Sequence, residues 1–389
     1  MNDSPQVYFD YNATAPARPG VGAAMADCLS RPGNPSSVHR SGRRARQALE
    51  AVRRLLAGTV AARPEEIVFT SGGTEANHLA LRGAGAAAVA VCAVEHESVL
   101  EPARRLGLPH RVVPVAADGR LDLNALQEIL QELPQPALAA VMLANNEVGT
   151  LQPVPEAAEI VHAAGGLLLC DAVQGLGKTD LDFGALGADL MTLSAHKIGG
   201  PQGVGALVVA DDVRLQAQML GGGQERGRRA GTENLPGIVG FGAALEASAD
   251  RSWLPRVTAL RQDLEARIQA LGGVVQGRDA PRLPNTAAIT MPGMAAETQV
   301  MAFDLAGFAV SAGAACSSGK VAPSHVLRAM GLAPEVAQET IRVSLGWDSS
   351  ADEVVRFAEA WAAIARRAGD RQRRSAGTER AAAQRLAAS

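Results

Sequence analysis

Two side chains in this sequence carry the strongest chemical signal. Lys197 follows the apolar run Leu190–Ser194 and opens a turn containing Gly199, Gly200, Pro201, Gln202 and Gly203. A lysine there is poorly placed for packing and well placed to reach into a cleft, where desolvation lowers its pKa and favours Schiff-base formation. Ser194 and His196 flank it and can donate hydrogen bonds to a phosphate. A surface lysine in a hairpin turn fits the same pattern. The second side chain is Cys316, on a stretch of small residues from Ser311 to Gly319 that suits an exposed, adaptable loop. A single thiol in such a loop is a candidate nucleophile. The other cysteines differ: Cys92 and Cys170 lie inside apolar runs and read as buried, inert thiols, and no C-x-x-C pair suggests zinc or a disulfide framework.

Three further patterns sit at the ends of strand-like segments. Asp171 closes Leu167–Cys170, and strand carboxyl ends are where open α/β sheets place ligand-binding groups. A carboxylate there can hold a protonated pyridine nitrogen and keep the ring electron-poor, with Gln174 in reach of the ring's phenolic oxygen; a helix N-cap is the other reading of Asp171. Thr70 to Asn77, with Gly72, Gly73 and Thr74, has the strand–glycine–helix form of a phosphate cradle but lacks the Gly-Lys-Ser/Thr ending of a Walker motif. A capping Thr74 accounts for it equally well. His96, beyond the next strand, is placed to stack on a cofactor ring or shuttle protons, or to serve structure alone.

The elements that must position these residues alternate. Helix-like Ser41–Ala57 is followed by strands Ile67–Thr70 and Ala88–Ala93, helices from Glu75 and near Ser98–Leu106, and strands Val112–Val115, Leu138–Ala144, Leu167–Asp171 and Leu190–Ser194. That alternation predicts a mostly parallel seven-stranded sheet with helices on both faces, and Ala206–Ala210 as an antiparallel neighbour. A long helix Trp253–Leu271 leads to strands Thr286–Thr290, Ala309–Ser311 and Ile341–Leu345 and helices Glu297–Leu305, Ser324–Met330 and Asp352–Arg367. The division expected is a large α/β domain over 16–257, a smaller α+β domain from 1–15 and 258–367, and an Arg-rich tail at 368–389, a frayed helix or disordered.

The 389 residues suffice for two such cores, and 47% hydrophobic content with 3% aromatic residues means cores built from Ala, Val, Leu and Ile. A net charge of -3 gives no electrostatic reason to expect DNA or an anionic membrane as partner. With no apolar stretch long enough to span a bilayer and no signal core, the default expectation is a cytoplasmic location.

Together with Tyr8–Thr14, Gly33–His39, Asn145–Gly149, Gln224–Asn234 and Pro323–Met330, these motifs resemble the cysteine desulfurases of the nitrogen-fixation and iron–sulfur-cluster type over residues 6–365. That family lies within the class V aminotransferases, of the fold-type-I pyridoxal-phosphate enzymes. The resemblance implies that pyridoxal 5'-phosphate is bound covalently by Lys197, stacked by His96, and paired through its ring nitrogen with Asp171 and its phenolic oxygen with Gln174. Gly73, Thr74, Ser194 and His196 would hold the phosphate, and Thr232 would reach the partner subunit's phosphate in a homodimer. Asn146 and Arg342 would hold the carboxylate of L-cysteine. Lys197 would act as base, and Cys316 would take the sulfur as a persulfide and pass it to an acceptor such as an iron–sulfur cluster scaffold. No metal is implied.

The cysteine loop is similar to the first group of the family, Ser-Ser-Gly-Ser-Ala-Cys-Thr-Ser, with Ala312, Ala314 and Ser317 as conservative departures, and lacks the Arg-x-Gly-His-His-Cys of the second. Gln202 replaces the usual Lys with no evident catalytic cost. The Arg-rich tail is read as solvated, or as docking an acidic acceptor. A pyridoxal-phosphate lyase or aminotransferase would leave Cys316 without a role, and an idle scaffold would leave the whole constellation without one.

Overall fold

The computed structural model describes residues 6–313 and 323–387, with side chains described through residue 369. After β1 (Val7–Tyr8), seven strands form the central sheet: β2 (Ile67–Thr70), β3 (Ala88–Cys92), β4 (His110–Val113), β5 (Ala137–Ala140), β6 (Leu167–Asp171), β7 (Leu190–Ser194) and β8 (Gly205–Val209). Their order is β2-β8-β7-β6-β5-β3-β4. The run β7-β6-β5-β3-β4 is parallel, and β8 lies antiparallel to both β7 and β2. This agrees with the expected mostly parallel seven-stranded sheet and with the antiparallel reading of the segment after the Gly-rich turn.

Parallel strands covered on both faces need side chains that pack both ways, and near-continuous apolar runs supply them. Along β3, Ala88, Ala90 and Cys92 enter the core on one face while Val89 and Val91 enter the core on the other. Helices Arg40–Thr59 and Leu235–Ser248 contribute Leu49, Val52, Leu56, Ile238, Phe241 and Leu245 to the first of these cores. The regular strand β5 ends at Ala140, short of the Ala144 read from sequence, although Val141 and Leu143 still donate to the Leu169 and Asp171 carbonyls of β6 and Ala144 bridges to Leu151.

A separate core gathers Val7 and Phe9 with residues from Trp253 onward. It is built on an antiparallel sheet of order β12-β13-β10-β9, with β9 (Val274–Gln276), β10 (Thr286–Thr290), β12 (Ser311–Ala312) and β13 (Thr340–Ser344), while β11 (Phe308–Ala309) pairs with β1. Helix Trp253–Ala270 buries Val257, Leu260, Leu264 and Ile268 here, one helical face. Phe303 and Phe357 stack with ring centroids 4.6 Å apart. Val326, Leu327, Met330 and Ala337, although late in the chain, pack into the core of the large sheet instead. The last helix runs Ala351–Ala387, so the backbone is helical across the Arg-rich stretch, where the sequence left a frayed helix or disordered tail. No helix among the described residues is long and apolar enough to cross a membrane.

Candidate active site

A cavity of about 520 Å³ opens at the carboxyl ends of β6 and β7, and its wall includes Gly73, Thr74, His96, Asn146, Asp171, Gln174, Ser194, His196, Lys197 and Arg342. Ten of the residues singled out from sequence therefore converge. Strand ends deliver Asp171 and Ser194; a short 3-10 turn, Ala195–Ile198, closed by Gly199 in the left-handed region, carries His196 and Lys197.

Asp171 accepts hydrogen bonds from Asn77 Nδ2 (2.9 Å) and from the Val173 backbone N–H (3.0 Å). Turns rather than a regular helix follow it, so it is not a helix cap. His96 does cap a helix: its Nδ1 accepts from Ser98 N–H at the start of Glu97–Arg105 while the ring lines the cavity. The structural reading left open by the sequence is therefore met, by a ring that also lines the cavity. Burial lowers the His96 pKa, with Lys197 pushing the same way and Asp171 opposing, which favours a neutral imidazole.

Lys197 donates to the backbone carbonyls of Asn12 (2.7 Å) and Ala13 (2.9 Å). Burial first, then the positive charge of Arg342, brings its pKa down to about 8, with Asp171 and Asp10 opposing. This amine is neutral in a useful fraction near neutral pH, as a Schiff-base lysine requires. His196 falls to about 4 through burial and the nearby charges of Lys197 and Lys178, and its Nδ1 lies 3.2 Å from Thr14 Oγ1.

Two observations test whether a phosphorylated cofactor fits. Ser194 Oγ is buried with no hydrogen-bond partner among the described residues, an orphan that a phosphate oxygen would satisfy. At Gly73 a Cβ would come within 2.9 Å of Val173 Cγ2, so the helix start Gly73–Gly83 lies close against the turn after Asp171 and a larger residue would need Val173 to shift. The residues present fit the group.

Arg342 on β13 is buried, donates through Nη2 to Asp10 (2.8 Å) and through Nη1 to the Asn146 carbonyl (3.3 Å), and leaves Nε without a partner among the described residues. An incoming carboxylate would satisfy that donor.

Thr232 is not in this cavity. It is exposed and lines a separate recess with Thr70, Ser71, Arg229 and Glu233. Cys316 lies outside the described residues; Ser311, Gly313 and His325, from the chain on either side, line the cavity. Cys92 and Cys170 are buried, and burial raises both thiols, which keeps them protonated and inert. Among the described residues no group of His, Cys, Asp or Glu converges as a metal cage.

Several participants escaped the sequence reading. Asn12 is a hub joined to Asn146, Gln174, Lys178, Lys197, Asn285 and Thr286. Glu95 is fully buried beside the cavity, and burial lifts its pKa well above the carboxylate range, which favours the neutral acid. Ser324 donates to Glu147 (2.5 Å), and His325 Nε2 is 2.9 Å from the Glu95 carbonyl. The motif Tyr8–Thr14 held a clue to Asn12, but its side-chain partners up to 274 residues away had no local signature.

The family model Aminotransferase class-V matches residues 7–357. A cysteine desulfurase from Cereibacter sphaeroides is 43% identical, covering 91% of this chain and 94% of that one. Cysteine desulfurase IscS 1 from Archaeoglobus fulgidus is 39% identical, covering 90% and 95%. Among solved structures, a NifS-like protein from Rickettsia africae superposes with a TM-score of 0.86 at 33% identity, covering 92% of this chain and 99% of that one.

Proposed function

The chain belongs to the class-V aminotransferase family, and from that membership we infer that its cavity is the site of a pyridoxal-phosphate-dependent cysteine desulfurase, converting L-cysteine to L-alanine. The observation that carries the reading is the meeting of Lys197, Asp171, His96 and Arg342 around one cavity at the ends of β6 and β7. When bound, pyridoxal phosphate supplies an electron-withdrawing ring that accepts electrons from the substrate's α-carbon.

The chain's own residues do the rest. Thr74, Ser194, His196 and the Gly73 backbone hold the phosphate at a helix start, where N–H groups point outward. Asp171 would hold the proton on the ring nitrogen, Gln174 would donate to the phenolic oxygen, and His96 would cover the ring face. Arg342 and Asn146 grip the substrate carboxylate, and Arg342 has the unpartnered Nε to offer. Lys197 would bond the cofactor and move the proton from the substrate's α-carbon; its lowered pKa supports that role.

Cys316 is the sulfur acceptor. Its thiol takes the substrate's sulfur atom as a persulfide, and L-alanine leaves: one C–S bond breaks, one S–S bond forms, and the thiol proton ends on alanine. No external oxidant enters. The persulfide then passes to a protein acceptor, and a scaffold for iron–sulfur clusters fits the nitrogen-fixation and cluster-assembly names of the relatives. The protein works as a cytoplasmic homodimer in which Thr232 serves the partner's phosphate; its exposure, away from its own chain's cavity, supports this. The units expected from sequence, 16–257 against 1–15 with 258–367, are proposed as its two domains, and the separate core joining Val7 and Phe9 to later residues supports that split.

Purified protein mixed with L-cysteine and a thiol reductant should release alanine and sulfide in equal amounts. Absence of alanine with the cofactor bound would refute the reading.

A further inference from the structure

Lys178 has no role in the account so far, yet its ammonium is among the most enclosed charges in the molecule, on a residue 7% exposed. Gly177, in the left-handed region, turns the chain so that Lys178 points inward four residues after Gln174. Its Nζ donates to Gln174 Oε1 (2.7 Å) and to Asn12 Oδ1 (3.1 Å). No carboxylate is bonded to it among the described residues, and Lys197 and Arg342 both repel its charge. A buried cation with only carboxamide partners is costly, and a Met or Leu of similar length would pack there at less cost.

The chemistry of the carboxamide shows what the charge achieves. In its protonated form Lys178 has donors and no acceptor, so the atom facing Nζ is then the amide oxygen. Gln174 is thereby fixed with Nε2 turned the other way, where one N–H reaches the Asn12 carbonyl (3.0 Å) and the second remains for the cavity. Asn12 is fixed likewise: Oδ1 accepts from Lys178 and Asn285, and Nδ2 donates to Asn146 and Thr286. The same Asn12 carbonyl holds Lys197 Nζ.

We propose that Lys178 is a positioning residue of the cofactor pocket, whose Nζ locks the carboxamides of Gln174 and Asn12 so that Gln174 Nε2 is always presented as a donor toward the ring's phenolic oxygen. This rests on the reading of Gln174 given above. Unpinned, Gln174 can rotate and offer its oxygen, which repels that phenolic oxygen. Lys178 is not among the residues lining the cavity, so it acts through its two partners.

The test uses full-length protein with pyridoxal phosphate and reads binding and colour rather than turnover. Lys178→Met, Gln174→Ala and the double variant are compared with wild type for the pH at which the visible band of the bound cofactor titrates, and for the cofactor's dissociation constant. Losing a donor to the phenolic oxygen favours the protonated chromophore, so Lys178→Met should raise the midpoint by about one pH unit. It should also weaken binding by about five- to tenfold, the worth of one or two hydrogen bonds. Gln174→Ala should do the same, and the double variant should go no further than Gln174→Ala. Lys178→Gln, one atom shorter but still a donor, should fall between, and replaces the Met variant if that one does not fold. A midpoint unchanged in both Lys178 variants while Gln174→Ala moves it overturns the proposal. So do effects that simply add in the double variant, because Lys178 would then act as an independent charge. If Gln174→Ala itself moves nothing, the placement of Gln174 at the ring falls, and this proposal with it.

Discussion

Lys197 and Lys178 bond to the same residue, Asn12, one through its backbone carbonyl and the other through its side chain. Burial lowers them to about 8 and about 7, from an ordinary lysine value of 10.5. The folded, cofactor-free protein therefore binds fewer protons than the unfolded chain between those values, and its stability rises with pH through that window. Below it the penalty for charging the buried amines is fully present. His96 and His196 are also lowered, but from 6.5, so their contribution falls below the window. The raised thiols Cys92 and Cys170 act in the opposite sense, only as pH passes their ordinary value of 9.0, and the raised carboxyl of Glu95 opposes the lysines from its ordinary value of 4.5 upward. Urea unfolding of the cofactor-free protein should thus show a gain of about 1–2 kcal/mol from about pH 7 to about pH 8.5, and Lys178→Met should flatten it. A flat wild-type curve, or an unchanged slope in the variant, would contradict this electrostatic picture.

Strand ends carry the site, and the element that frames them most tightly is β8. Gly205 pairs with Ser194 on one side and Thr70 on the other. A Cβ there would meet the Gly72 backbone carbonyl carbon at 2.6 Å, and backbone cannot rotate aside as a side chain can. Gly205→Ala should cost about 1–3 kcal/mol of stability and weaken cofactor retention, read by thermal unfolding and by titration with pyridoxal phosphate. A variant that matches wild type in both would show that β8 does not set the phosphate cradle. The strands that frame the site were legible in the sequence. Ile67–Thr70, Leu167–Asp171, Leu190–Ser194 and Thr286–Thr290 have the bounds read from sequence, because each is a short apolar run bracketed by polar or glycine turns. Of the two- and three-residue strands, Val7–Phe9 reads as strand-like and matches β1, the single strand read at Ala309–Ser311 spans what are two, β11 and β12, and β9 was not legible, since so short a run has no period. Site residues at strand ends were legible for the same reason as the strands. Asn12, Lys178, Asn285 and Glu95 were not, because their function lies in contacts between segments far apart in the chain.

The whole molecule sets the two claims that reach beyond a single cavity. Thr232 faces solvent in a recess apart from its own chain's site, as a residue serving a second subunit would. Sedimentation should find a dimer, and Thr232→Ala should weaken cofactor binding by about tenfold, the worth of a hydrogen bond to a charged oxygen. A monomer that still holds the cofactor tightly would remove that role. The central claim is that sulfur leaves L-cysteine for a thiol of this chain, and Cys316→Ala tests it most directly. Cys92 and Cys170 are buried and held protonated, and Cys28, half-buried on the helix Val21–Leu29, does not line the cavity, so none can replace it, and serine hydroxyls are far weaker nucleophiles. The variant should fold, keep its cofactor and change colour on binding L-cysteine, while alanine release and protein-bound persulfide fall together by orders of magnitude. If Cys316→Ala converts cysteine to alanine at the wild-type rate, the chain is not a desulfurase of this mechanism.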